Sequence, residues 1–226
     1  MTKIFFSKKY TTILDNQIIP LKYLYKSILD KIGAKIIKKD YKILLHQNIK
    51  KINIFKNENI KNKKYILIHI DEKWFSDFYI KKYTNISLKK NDFIILIKKI
   101  IKKCHAHLII TSGTIDLPFI TEISSEYFNI NKKGYYYLKI GKYKIILLKK
   151  ISIDNLEIIA MNAKSVITCH RPLSLISGSF NVNLIDIIEK THEKWYERHT
   201  SHIIKYNKLY RAKFSKLAKK IILKVK

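Results

Sequence analysis

The stretch Ser165-Val166-Ile167-Thr168-Cys169-His170-Arg171-Pro172-Leu173-Ser174 sets a thiol, an imidazole and a guanidinium side by side. An apolar run precedes them and a helix-forming stretch follows. Three chemistries fit these residue types: a cysteine nucleophile with its base, part of a metal site, or a loop that holds a ligand. The first is poorly served by spacing, because neighbours on an extended segment point to opposite sides and Cys169 and His170 would not bond each other. Metal chemistry fares no better, since Cys104 and Cys169 are the only cysteines and make neither a four-thiolate zinc site nor a disulfide framework. His105-Ala106-His107 has one-face strand spacing, but it opens an otherwise apolar strand and reads as a structural or exposed pair. The ligand loop remains. It has a strand end, polar groups, a cation and a helix start whose free N–H groups favour an anion, an arrangement that suits a phosphate.

The elements that must position this loop follow a pattern. From residue 64, KYILIHI reads as a buried strand and DEKWFSDFY as a loop. NDFIILIKKIIKKC reads as a helix capped by Asn91 or Asp92, and AHLIIT as a strand ending in Ser112-Gly113. Leu117 to Phe128 is predicted helical, and a turn-rich insert around Gly134 and Gly141 precedes the strand KIILL. Ser152-Ile153-Asp154 starts the helix NLEIIAMNA. SVIT, LSLISGSF and VNLIDII then read as strand, short helix and strand, and Glu193–His199 as an aromatic, charged loop. Earlier, residues 18–36 read as a helix and 38–62 as one or two strands and a linker. Strands alternating with helices through short connections predict an α/β fold with a parallel sheet. In such sheets ligands sit outside the carboxyl ends of the strands, which selects the loops His69–Trp74, Thr111–Asp116 and Cys169–Ser174. No G-x-G-x-x-G or Walker loop is present.

Composition bounds the rest. The 226 residues are 47% hydrophobic, enough to build a core, and the formal charge is +29. Arginine occurs only at 171, 198 and 211, so the excess is almost all lysine. Bidentate phosphate grip and base reading favour arginine, so sequence-specific nucleic-acid binding is not expected; a lysine-coated surface is. No apolar run approaches the roughly 20 residues that span a bilayer. The two cysteines fit a cytoplasmic setting.

The order of these pieces resembles the C-terminal, donor-binding half of glycosyltransferase family 9, the ADP-heptose:lipopolysaccharide heptosyltransferases. Four features carry the resemblance: Lys73-Trp74 after the first strand; Thr111-Ser112-Gly113 after the second; the helix segment Ile151 to Ala160; and VITCHRPLSL where the family has strand, Asp-Thr-Gly-x-x-His and helix. The family's Asp-Thr-Gly is replaced by Cys169-His170-Arg171, and its His by Ser174. The resemblance implies a Rossmann-like domain equivalent to half of a GT-B fold, a nucleotide-diphosphate sugar as donor substrate, no other cofactor and no metal. It further implies a single inverting displacement onto a cell-envelope glycan or lipid acceptor. The donor contacts it implies are Lys73, Thr111, Ser112, Gly113, His170 and Arg171, with Lys73 and Arg171 on the diphosphate. On this resemblance residues 1–62 are an N-terminal extension, the remnant of an acceptor half and its linker, and 63–226 the donor-binding domain. The catalytic base would lie in an acceptor half, which a separate chain could supply.

From Ser201 to the end the spacing of Ile203, Tyr206, Tyr210, Phe214, Leu217, Ile221 and Val225 predicts one long helix. Lysines fill its other face, and the helix either packs on the sheet or reaches back to another lobe, or lies with its basic face on an anionic membrane surface. The rival to the transferase reading is a non-catalytic basic module that binds polyanions. A continuous basic face away from the strand-end loops would favour it.

Overall fold

The computed structural model describes residues 60, 65–75, 81–131, 134–170, 172–201 and 203–226. The helix expected over 18–36 and nearly all of the 38–62 segment lie outside them.

Among the described residues eight strands form one sheet: β1 (Tyr65–Ile70), β2 (His107–Ser112), β3 (Asn129–Ile130), β4 (Tyr136–Ile140), β5 (Tyr143–Leu148), β6 (Ser165–Cys169), β7 (Asn183–Ile188) and β8 (Tyr206–Tyr210). Their order is β3-β4-β5-β2-β1-β6-β7-β8. The six strands from β5 to β8 in this order pair in parallel, and β3 and β4 add an antiparallel edge. The first strand is central; the chain adds β2 and β5 on one side, then returns to add β6, β7 and β8 on the other. That is the doubly wound Rossmann order. The sheet is α/β and Rossmann-like, as the alternation of elements led us to expect.

Both faces are covered, which is why β1 and β7 are buried along their whole length and read as continuous apolar runs. Ile66, Ile68 and Ile70 face one core, with helices α1 (Lys90–Cys104), α2 (Pro118–Tyr127) and α6 (Phe214–Lys224). Tyr65 and Leu67 alternate to the other core, against α3 (Ile153–Asn162) and α4 (Pro172–Ser179). Helix α5 (Glu193–Thr200) follows β7.

The structure corrects three readings and fills in a fourth. Helix α1 starts at Lys90 with Lys89 as an N-cap that makes no side-chain bond. Asn91 is instead engaged by the Tyr127 hydroxyl, whose donation to Asn91 Oδ1 spans 2.5 Å. The insert around Gly134 and Gly141 is a hairpin, with Gly141 at φ 56° in the turn between β4 and β5. Glu193–His199 is helical, not a loop. The closing segment is not one helix from Ser201: Tyr206–Tyr210 is strand β8, and the final helix is the shorter α6. The three-and-four spacing there is a coincidence of two elements. Tyr206, Lys208 and Tyr210 alternate with Asn207 and Leu209 as a strand requires, and β8 covers the edge that β7 would otherwise leave open.

Candidate functional site

The strand order reverses between β1 and β6, so their carboxyl ends diverge and leave a crevice. Asp71, Ser112 and His170 all lie at this edge, as the sequence led us to expect.

The first wall grows from β1. Asp71 caps a short 3-10 turn, Glu72–Trp74, its Oδ1 accepting from the Lys73 N–H at 3.0 Å. Trp74 is buried beneath the turn and its indole N–H donates to the His69 carbonyl at 2.9 Å. His69 Nδ1 lies 2.9 Å from Thr111 Oγ1, tying the ends of β1 and β2. The Ser112 hydroxyl and carbonyl accept from the Lys150 and Ile151 N–H groups, both at 3.1 Å, which fixes the start of the β5–α3 connection. Gly113 follows. A Cβ there would meet nothing within 4 Å, and its backbone does not require glycine. Neither packing nor strain explains the glycine, and the space above it is open. That space is a cleft of about 190 Å³, lined among others by His69, Asp71, Glu72, Gly113, Ile153 and Pro172.

The second wall is the loop after β6. The Lys73 ammonium donates to the His170 carbonyl at 2.5 Å, joining the two loops behind the cleft. Burial lowers the Lys73 pKa, and the nearby Asp71 carboxylate pulls part of it back. The His170 ring turns away from Cys169 and sits 2.6 Å from Asp186 Oδ2 through Nδ1. Asp186 is fully buried and also accepts from Ser174 Oγ at 2.9 Å and the Tyr206 hydroxyl at 3.0 Å. One carboxylate thus gathers β6, α4 and β8 around β7. The His170 ring also packs on Tyr196 and Trp195, with centroids 4.7 and 5.8 Å away.

Cys169 is not a nucleophile in this setting. It is 1% exposed, burial raises its pKa well above the ordinary thiol value, and its sulfur accepts from Arg211 Nη1 at 3.7 Å. Arg211 also donates to the carbonyls of Lys73 and Thr84 and lies 3.7 Å from Glu189. It clamps the β1 loop to the end of β8. His105 is the left-handed residue that ends α1, and His107 Nδ1 accepts from the Lys144 N–H at 3.0 Å. That pair holds backbone in place.

Of the six residues selected from sequence, Gly113 lines the cleft. Thr111 and Ser112 turn inward to fix the strand ends, and Lys73 and His170 bind each other behind it. Arg171 lies outside the described residues, between His170 and the cleft-lining Pro172. Sequence reading missed Glu72, Asp186 and Arg211. Asp186 did leave a signal, as the lone acid in the apolar run VNLIDII. A charge inside a buried strand demands partners.

No family model and no curated protein matches the sequence. Solved structures with a similar fold include the UDP-GlcNAc 2-epimerase of Methanocaldococcus jannaschii, determined in complex with UDP-GlcNAc and UDP. It is 11% identical at a TM-score of 0.46, over 78% of this chain and 42% of that one. They include also the ADP-heptose lps heptosyltransferase II of E. coli, 9% identical at a TM-score of 0.46, over 85% of this chain and 53% of that one. ALG13 is 15% identical at a TM-score of 0.45, over 74% of this chain and 90% of that one. The chain therefore spans about half, or less, of the length of the first two.

Proposed function

We propose that this domain binds a nucleotide-diphosphate sugar in the β1/β6 crevice and acts as the donor side of a glycosyltransferase. The observation that carries the reading is Gly113. It is a glycine that neither fold nor packing requires, at the end of β2 beside β1, facing the open space of the cleft. A backbone without a side chain lets a ligand approach closely. The sequence motifs that resemble family 9 meet at this same edge.

The cleft's charges suggest how such a ligand lies. Asp71 and Glu72 on one wall suit hydroxyl groups, which donate to carboxylates, and would repel a diphosphate. On the other wall α4 begins at Pro172, and the partial positive charge of a helix N-terminus favours an anion there. The diphosphate belongs at that end, with the Arg171 guanidinium from the adjoining loop as its charged partner. Lys73 acts from behind, by holding the His170 carbonyl and so the start of that loop. In the transfer step an acceptor hydroxyl oxygen would bond to the anomeric carbon as the bond from that carbon to the diphosphate breaks. The hydroxyl proton would pass to a base, and cations and N–H groups would take up the charge on the leaving group. Sugar and acceptor are those the resemblance implies, a heptose-type donor and a cell-envelope glycan or lipid.

Calorimetric titration of the chain with UDP and with ADP tests the reading. One of the two should bind, and Gly113→Leu should abolish binding while thermal unfolding stays unchanged, because the new side chain enters open space. A folded chain that binds neither nucleotide, or a Gly113→Leu variant that binds as well as the original, would refute it.

A further inference from the structure

The surface of α1 and α6 carries a second feature. On α1, Ile95, Lys98, Lys99 and Lys102 are exposed and recur at intervals of three and four residues. On α6, Lys216, Lys219, Lys220 and Leu223 repeat that spacing, with Lys224 beside them. Each set is one stripe of its helix. The inner sides of both helices share one core, and Lys103 Nζ donates to the carbonyls of Ile222 and Leu223, so the two C-terminal ends meet. These stripes therefore adjoin. None of their lysines has an ion-pair partner among the described residues, and the sequence holds no Asp or Glu between Asp92 and Asp116 or after Glu197. The C-terminal half of the face is also remote from the cleft. Helix α1 runs from the carboxyl end of β1 back to the amino end of β2, and Lys226 reaches Ser165 at the start of β6. The C-terminal ends of the two stripes, with Lys102, Lys220, Leu223 and Lys224, thus lie toward the edge of the sheet opposite the crevice.

We infer that this face docks on the surface of an anionic lipid bilayer. Its chemistry favours lipid over nucleic acid on three counts. The charges are all lysine, point charges on flexible stems that settle among headgroups, with none of the arginine forks that grip phosphates bidentately. The only aromatic residues of the two helices, Phe93 and Phe214, are buried, which leaves no ring for a base to stack on. Ile95 and Leu223 are 48% and 76% exposed at the ends of the stripes, where apolar side chains gain by entering a bilayer interface and gain nothing against a polyanion. No helix among the described residues is long and apolar enough to cross a membrane, so the contact is a surface one. Each lysine brought to an anionic leaflet strengthens binding by about fivefold at moderate salt, and the effect fades beyond a Debye length.

Sedimentation with vesicles of phosphatidylcholine, with and without phosphatidylglycerol, tests this. The chain should pellet with the anionic vesicles and not with the neutral ones. Replacing Lys216, Lys219, Lys220 and Lys224 by Gln should weaken that binding by about fiftyfold or more. The same four-charge change at Lys81, Lys82, Lys139 and Lys142, on other surfaces, should cost much less. Leu223→Ser should lose about threefold or more on vesicles and nothing on a DNA duplex. Circular dichroism and thermal unfolding should be unchanged throughout, since all these side chains are exposed. Equal losses from the two lysine sets would overturn the inference. So would a Leu223→Ser variant that binds vesicles undiminished, or tighter binding to duplex DNA than to vesicles at equal phosphate concentration. None of these readouts depends on nucleotide binding.

Discussion

Replacing Asp186 by Ala should unfold much of what holds the loop after β6 in place. The carboxylate is fully buried and accepts from three donors, His170 Nδ1 at 2.6 Å, Ser174 Oγ at 2.9 Å and the Tyr206 hydroxyl at 3.0 Å. Burial and the Asp186 charge both raise the Tyr206 pKa, so its hydroxyl stays protonated and donating. Alanine would remove the acceptor these three donors share, two of them on the buried His170 and Ser174 and the third on the half-buried Tyr206. An orphaned buried donor costs about 1–3 kcal/mol, and partial relaxation brings the sum to about 3–5 kcal/mol. Against a total stability of about 5–15 kcal/mol this is a large share. Asp186→Asn should cost only about 1–2 kcal/mol, because the amide oxygen still accepts, and the imidazole can shift tautomer to accept from the amide NH₂. Urea unfolding followed by far-UV circular dichroism measures both. An Ala variant within about 1 kcal/mol of the original protein, or an Asn variant as damaged as Ala, would show that the network does not carry the energy assigned to it.

Two further outcomes follow from single contacts. Gly178→Ala should destabilise by about 1–3 kcal/mol despite alanine's better helix propensity, because its Cβ would sit 2.6 Å from the buried Ile203 side chain; thermal unfolding should show the loss, and Ile203→Ala in the same chain should recover part of it. His107 should make the fold acid-sensitive: burial chiefly, and the Lys144 charge next, hold its pKa below the ordinary 6.5. The unfolded chain then takes up the proton first, so stability is full above about pH 6.5 and falls as pH drops towards the lower folded value. Protonation would also remove the Nδ1 acceptor used by the Lys144 N–H. His107→Asn, which keeps an acceptor without a titrating ring, should flatten the dependence in urea midpoints measured between pH 7 and 5.

Much of the sheet was legible because its strands are buried on both faces. Such strands appear as short apolar runs bounded by helical patterns, and KYILIHI, SVIT and VNLIDII lie within a residue or so of β1, β6 and β7. Edges were harder to read. Strands β4 and β8 are half-buried and mix Tyr, Lys and Asn, so their alternation is shallow and loses to a competing period. At β8 that competitor was a run of apolar positions at helical spacing, contributed by a strand, a connection and a true helix in succession.

The site divides along the same line, between what neighbouring residues determine and what distant ones do. Local order sufficed to bring Asp71, Ser112, Gly113 and His170 to one edge, because parallel strands end together. It did not reveal what each side chain does there. Lys73 looked like a phosphate ligand, since a lysine in a strand-end loop has water or an anion as its default partner. Its ammonium instead meets the His170 carbonyl, a group 97 positions along the chain. Arg211, in a segment read as helix, reaches the Lys73 carbonyl across 138 positions and Thr84 across 127. Both cations serve backbone carbonyls that the loops leave unpaired, since a loop has no ladder to satisfy them. The crevice is therefore shaped by charges placed behind its walls, while its open space is marked by a glycine. A search for cations near a ligand finds Lys73 but not its bond to the His170 carbonyl; a search for glycines that no turn or packing demands finds Gly113 in the cleft wall.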